Sequence, residues 1–263
     1  MVEALIGLGL GVAVAMLNSL AGGGSSLSLP AFIFMGIPPG VANGTNRFGL
    51  IWGNFMSFYG LYRQGQFDFQ TFKPVIIPIV LGASVGAYLA VLIPDKMFEG
   101  FLAMVLLGVA VLNLTHLLKG SLSPSSRYTE SPSHVDLAQK MRSPAWSKST
   151  FTLFTLVGFY GGFIQVGVGF VMIFAFSKWS GSNLLQVNAI KSGVATLFMM
   201  ISFGIFFAHG KIKWDTALIY AIGCIIGGYV GASLQVYRGE SWVKWVMISV
   251  CLGMSIKLIS DLI

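Results

Sequence analysis

Three observations predict an all-α polytopic membrane protein built from two homologous halves. The 263 residues are 55% hydrophobic and 10% charged, with a mean hydropathy of +0.80, too apolar and too poor in charge for a soluble globule of this size. Apolar runs recur at 4–20, 75–93, 97–118, 217–234 and 243–259, each close to the ~20 residues that a helix needs to cross a bilayer. The pattern of glycine, apolar and basic residues in the first half also returns in the second.

The first run carries Glu3 where a signal peptide would be basic, and no convincing cleavage site follows it. It is expected to be a retained helix, with the mature chain starting at Met1. A polar, glycine-rich break follows at 18–30, Asn-Ser-Leu-Ala-Gly-Gly-Gly-Ser-Ser-Leu-Ser-Leu-Pro. Gly22, Gly23 and Gly24 have no side chain to pack and much backbone entropy to lose, while Ser25, Ser26 and Ser28 let another group approach. Residues 31–36 are too few to cross, and Ile37-Pro38-Pro39-Gly40 ends that piece. Two arrangements fit: a re-entrant hairpin, which we favour, or a single broken helix.

Segment 41–62 is apolar overall but holds Asn43, Thr45, Asn46, Arg47 and Asn54. An arginine there costs at least ~2.5 kcal/mol on insertion scales, so it must face protein, water or ligand. A polar turn at 63–73 precedes a helix expected to start near Lys73, and Pro94-Asp95-Lys96 separates it from the next. Residues 119–149 are rich in Ser and Pro, with Arg127, Lys140, Arg142 and Lys148 against Glu130 and Asp136. They read as an exposed linker on the cytoplasmic side, with a short helix at 133–142 as an alternative. The domains are thus 1–118, 119–149 and 150–263.

Beyond the linker, glycines 161, 162, 167 and 169 interrupt the region 151–176 as glycines 22–24 interrupt the first. Laying Gly65 on Gly210 aligns Gly82 with Gly227 and Gly86 with Gly231, and a one-residue slip upstream lays Arg47 on Lys191. The Gly-x-x-x-Gly pairs read as helix-packing faces. Interrupted hydrophobic segments at matching places in two halves point to a transporter site near the midplane. An odd number of crossings per half, a hairpin plus three spanning helices, makes the repeats inverted.

The residues Asn18-x-x-x-Gly22-Gly-Gly, Pro30, Ala42-Asn-Gly-Thr-Asn-Arg47, Gly161-Gly, Gly167-x-Gly169 and Asn188-x-x-Lys191-Ser192 resemble the sulfite exporter family known as TauE/SafE. The second glycine cluster departs from that family's Gly-x-Gly-Gly-Gly in having Val168 and Phe170. The resemblance covers nearly all the chain outside the linker. It implies two homologous transmembrane halves in a cell inner membrane and traffic in sulfite, sulfonates or similar small anions.

The residues themselves also favour an anion. Helices starting after Gly24 and Gly169 present free N–H groups and positive dipole ends. Asn18, Ser25, Ser26 and Gln165 add neutral donors, and Arg47 and Lys191 a positive field. With the motif residues, the expected substrate-binding set is Asn18, Gly22, Gly23, Gly24, Ser25, Ser26, Asn43, Asn46, Arg47, Gln165, Gly167, Gly169, Asn188, Lys191 and Ser192. The competing reading of Arg47 and Lys191 is snorkelling to an interface.

No metal, cofactor or catalytic group is expected. His116, His134 and His209 are scattered, no HExxH or GxSxG is present, and Cys224 and Cys251 read as buried thiols. The formal charge of +7 lies outside the apolar runs and is topological; no nucleic-acid motif accompanies it. The expected partners are a small anion, the bilayer and a second copy of the chain in a homodimer. An anion channel shares these features, whereas an intramembrane enzyme or a scaffold fits them poorly. Acidic residues fall at segment ends, so export driven by the membrane potential is expected, with no intramembrane proton relay.

Overall fold

The computed structural model describes residues 2–118, 147–180 and 182–235. The apolar run 243–259, nearly all of the linker with its alternative helix at 133–142, and Cys251 lie outside the described residues. Within them every regular element is a helix: α1 (Val2–Ala21), α2 (Ser25–Phe34), α3 (Pro39–Arg63), α4 (Phe69–Leu92), α5 (Asp95–Leu118), α6 (Lys148–Phe163), α7 (Val168–Ser180), α8 (Leu184–Ala208) and α9 (Trp214–Leu234).

Helices α4, α8 and α9 are long and apolar enough to cross a membrane, and α1 is apolar over Ala4–Leu20. The outer faces support the same conclusion. On α4, Ile77, Leu81, Val85 and Leu92 are exposed at helical spacing, while Val75, Ile79, Ala83, Ala87 and Ala90 are buried on the other side. A helix apolar all round has lipid, not water, as its outer solvent.

Local chemistry sets the boundaries. The expected break at 18–30 narrows to three residues, because α1 runs on to Ala21 and α2 begins at Ser25. Pro30 lies inside α2, past its first turn, so the Ser26 carbonyl lacks the amide it would otherwise accept from. Helix α4 starts at Phe69, four residues before the expected Lys73, because Asp68 caps it by accepting from Gln70 N and Thr71 N. Helix α6 starts at Lys148, with Ser147 accepting from Thr150 N. Gly161 and Gly162, read from sequence as part of the second break, remain helical in α6, and only 164–167 leave the helix.

The largest interfaces are α1 with α9 and α4 with α6. Glycine makes both possible. A Cβ on Gly227 would meet the Val12 carbonyl, and one on Gly231 would lie 2.8 Å from Ser19 Cβ and 3.0 Å from Met16 Cα. On α4, a Cβ on Gly82 would meet the Thr155 carbonyl and lie 2.7 Å from Phe159 N, and one on Gly86 would meet the Phe159 carbonyl. The two Gly-x-x-x-Gly faces are therefore packing faces, each against the helix that opens the other half of the chain.

These contacts also give direction. Helix α3 lies along α9 in the same sense, Gly49 at Tyr220, Gly53 at Cys224 and Gly60 at Ala232, and Gly53 also meets Ala15 of α1. Helix α8 crosses α3 in the opposite sense, Ser192 beside Ser57 and Phe206 beside Arg47. Helix α8 shares its sense with α4, Gly193 at Phe72 and His209 at Tyr88. Helices α1, α3 and α9 thus run one way and α4, α6 and α8 the other.

Space at these glycines yields a prediction. Gly82→Leu and Gly227→Leu should each destabilise the fold by about 1–3 kcal/mol through overpacking. Gly9→Leu, where nothing lies within 4 Å of an added Cβ, should not. Thermal unfolding in detergent checks this: a lowered Tm for the first two with Gly9→Leu unchanged is expected.

Candidate functional site

Four helix ends meet in the interior. Helix α1 ends and α2 begins at glycines 22–24; α6 ends and α7 begins at 164–167. The two breaks touch. Gly22, with φ of +80, packs against Gly169 so closely that a Cβ on either would strike the other's backbone. The Ser25 hydroxyl donates to the Gln165 carbonyl at 3.0 Å.

Ending a helix inside an apolar interior strands its last carbonyls where no water can reach them. Here two cations from the opposite half of the chain supply the donors. Arg47 of α3 donates from Nη1 to Gly161 O at 3.2 Å and from Nη2 to Gly162 O at 2.5 Å and Phe163 O at 3.5 Å. Asn43, one turn earlier, donates to Phe163 O at 3.0 Å. Lys191 of α8 donates from Nζ to Asn18 O at 2.9 Å and Ser19 O at 3.4 Å. Gln235, just beyond α9, also donates to Ser19 O. Positive charge at a helix C-terminus opposes the negative end of the macrodipole, so each cation supplies both hydrogen bonds and charge where both are needed.

Arg47 is 0% and Lys191 1% exposed. That burial excludes snorkelling to an interface. The Arg47 guanidinium also lies 4.8 Å from the centre of the Phe206 ring, a cation–π contact from the neighbouring helix. The planar fork spans successive carbonyls at the end of α6, whereas the lysine acts as a point charge on α1.

The opposite ends, the starts of α2 and α7, have no such neutralisation. Helix α2 has no side-chain cap, and neither helix carries an acidic residue in its first turn. Among the described residues no carboxylate is buried. The field at the breaks is therefore positive: no acidic group neutralises the two N-termini, whose amides of Ser26, Leu27, Val168 and Phe170 donate to carbonyls of the breaks, while the two C-termini are occupied by cations.

Every residue of the expected set is buried, but the structure sorts them. Asn18, Gly22, Ser25, Arg47, Gln165, Gly169 and Lys191 meet at the breaks through the contacts above. Ser26 Oγ and both amide atoms of Gln165 are buried without a hydrogen-bond partner. Gly24 packs on Val14 and Asn18, and Gly167 on Val109 of α5. Asn46 turns to α9 instead, accepting from the Tyr220 hydroxyl at 2.8 Å. Asn188 lies one turn before Lys191 with its carbonyl oxygen unpartnered.

Sequence reasoning missed a buried polar ladder beside these ends. Asn18 donates to Asn54 at 2.9 Å, Ser19 shares a hydrogen with Ser57 at 2.8 Å, and Ser57 with Ser192 at 3.2 Å. The signal was available: Asn43, Arg47, Asn54 and Ser57 fall on one face of α3 at 3.6-residue spacing.

The sequence belongs to a known group. The family model for the sulfite exporter TauE/SafE matches residues 7–258. The chain belongs to the TauE/SafE sulfite exporter family. Similar members carry transporter names. A probable membrane transporter protein, ORF9, of a Sinorhizobium species is 25% identical over 93% of this chain and 88% of its own length. A probable membrane transporter protein of Haemophilus influenzae is 23% identical over 95% and 92%. The probable membrane transporter protein YfcA of Escherichia coli K12 is 25% identical over 93% and 85%. No solved structure gives a significant match. The apolar helices and the family membership together make this an integral membrane protein of a transporter family.

The capping geometry gives a second prediction. Arg47→Gln or Lys191→Gln should lower stability by about 2–3 kcal/mol, because a charged donor is lost and buried carbonyls are stranded. Lys191→Arg should recover part of that loss. Unfolding followed in detergent without added anion checks it, and an unchanged Tm for Arg47→Gln would show that the helix end does not depend on the cation.

Proposed function

We propose that this chain exports small sulfur-containing or organic anions such as sulfite and sulfonates, holding the anion between the two helix breaks near the bilayer midplane. The observation that carries this reading is the unneutralised pair of N-termini. The starts of α2 and α7 are buried, touching and free of acidic residues, while Arg47 and Lys191 occupy the C-termini beside them. Backbone N–H groups at a helix start bind anions without further charge. A cation site would need carboxylates or carbonyls where these N–H groups lie. Family membership supports the same substrate class.

The architecture we propose is a pair of inverted repeats, each with a re-entrant hairpin whose tip is the glycine break. Two features support it. Gly24 packs back on Val14 and Asn18, and Phe32 of α2 stacks edge-on to Tyr220 at 5.0 Å, at the level where Gly11 of α1 meets that residue. Likewise Phe176 of α7 returns to Phe154 of α6 at 5.0 Å. Helices of the second half also run opposite to their counterparts: α3 against α8, α4 against α9, α1 against α6. We assign the linker 119–149 to the cytoplasmic side of a cell inner membrane, a side that its basic charge supports.

Export follows from the charge of the substrate. A potential negative inside drives an anion outward by about 2.3 kcal/mol per charge per 100 mV. That is about fiftyfold for a monoanion. In proteoliposomes loaded with sulfite, imposing a potassium diffusion potential should drive net anion flux toward the positive side, and reversing the potential should reverse it. Flux indifferent to the potential would mean a compensating coupled ion and would contradict simple export.

Contact between the tips gives a further test. Gly169→Ala should abolish most of this flux while the protein still inserts, because the new methyl collides with Gly22. Wild-type flux from a correctly inserted variant would remove the breaks from the pathway.

A further inference from the structure

Gln165 is the most anomalous residue at the breaks. It is fully buried, and both atoms of its side-chain amide lack a hydrogen-bond partner. Its φ of 54 is the one positive value at a non-glycine position among the described residues, a conformation that glycine adopts without strain. The backbone, by contrast, is firmly held: Gln165 N donates to Tyr160 O at 3.3 Å, and Gln165 O accepts from Val168 N at 3.2 Å and from the Ser25 hydroxyl. A strained residue with a fixed backbone and an unused buried amide is poorly explained by packing. It is well explained by a ligand.

The chemistry of that ligand follows from what the site lacks. Two unpartnered side-chain donors lie there, the Ser26 hydroxyl and Arg47 Nε, beside the first-turn amides of Ser25 and Gly169. Acceptors are scarce, and a carboxylate acceptor would repel an anion. A side-chain amide offers an acceptor oxygen without negative charge. Asn43 provides a second such oxygen nearby, its Nδ2 already committed to Phe163 O.

Resting on the anion-export reading above, we propose that Gln165 is a specificity-determining residue that reads a hydrogen-bond donor on the transported anion. Its Oε1 accepts from an O–H of the ligand while its Nε2 donates to an anionic oxygen. The favoured substrates are then oxyanions that carry a hydroxyl, such as hydrogensulfite or a hydroxylated sulfonate, over anions that only accept.

The test compares 2-hydroxyethanesulfonate with 1-propanesulfonate, which match in charge and in number of non-hydrogen atoms. Calorimetric titration of the purified full-length protein should show the hydroxylated anion binding about tenfold tighter, the worth of one hydrogen bond. Gln165→Leu and Gln165→Gly should both bind the two anions equally. Gln165→Gly should also show an undiminished Tm without ligand, since it relieves the positive φ; a purely structural glutamine would lower it. Equal binding of the two probes by the wild type, or discrimination retained in both variants, overturns the inference while leaving the anion reading in place. If the wild type binds neither probe nor sulfite, both fall.

Discussion

A helix that stops inside an apolar interior leaves carbonyls with nothing to accept from, and the rest of this fold is arranged around the two cations that answer that need. Arg47 reaches from α3 to the end of α6, and Lys191 from α8 to the end of α1. Each joins one half of the chain to the other. The central antiparallel pair of α3 and α8 is therefore fixed by where its cations must point. The glycine faces on α4 and α9 bring the capped helices close enough to be reached. Buried cations without carboxylates would be prohibitive in a dry interior. Here helix-end carbonyls take the part of the counter-ion.

That arrangement separates the two signs of the helix dipole at one place. The C-termini of α1 and α6 are held by full positive charges, and the N-termini of α2 and α7 carry no acidic residue to neutralise them. Any small anion entering the breaks would meet backbone N–H groups at the starts of two helices, with the cations behind them. The proposed substrate and the cations then act in sequence along each broken segment, the cation on the ending helix and the anion on the beginning one. The two sides are not identical. Arginine's fork holds consecutive carbonyls, while lysine is a rotatable point charge, and the second break carries Gln165, Val168 and Phe170 where the first has glycines and serines.

The membrane class was legible from composition and run length, because the bilayer dictates both. The glycine contacts were legible from the Gly-x-x-x-Gly spacing. Boundaries were less so: the hydrogen-bond ladder of α1 carries through Asn18 to Ala21 despite their polarity, and Asp68 starts α4 earlier than hydropathy suggested. The repeat register located Arg47 and Lys191 but not their duty. Their partners are backbone carbonyls 114 and 173 positions away, and a carbonyl has no sequence signature. Asn54 and Ser57 were readable from their spacing on α3, whereas their partners Asn18 and Ser192 depend on helix packing that one chain does not spell out.

Selenite is sulfite with a heavier central atom, and its selenium can be located by anomalous scattering in crystals of the protein grown with it. A selenium peak between the first turn of α2 at Ser25 and the first turn of α7 at Val168 is the expected result. A peak at the outer groove beside Phe69 and Lys73, with none at the breaks, would contradict an anion site built from helix ends.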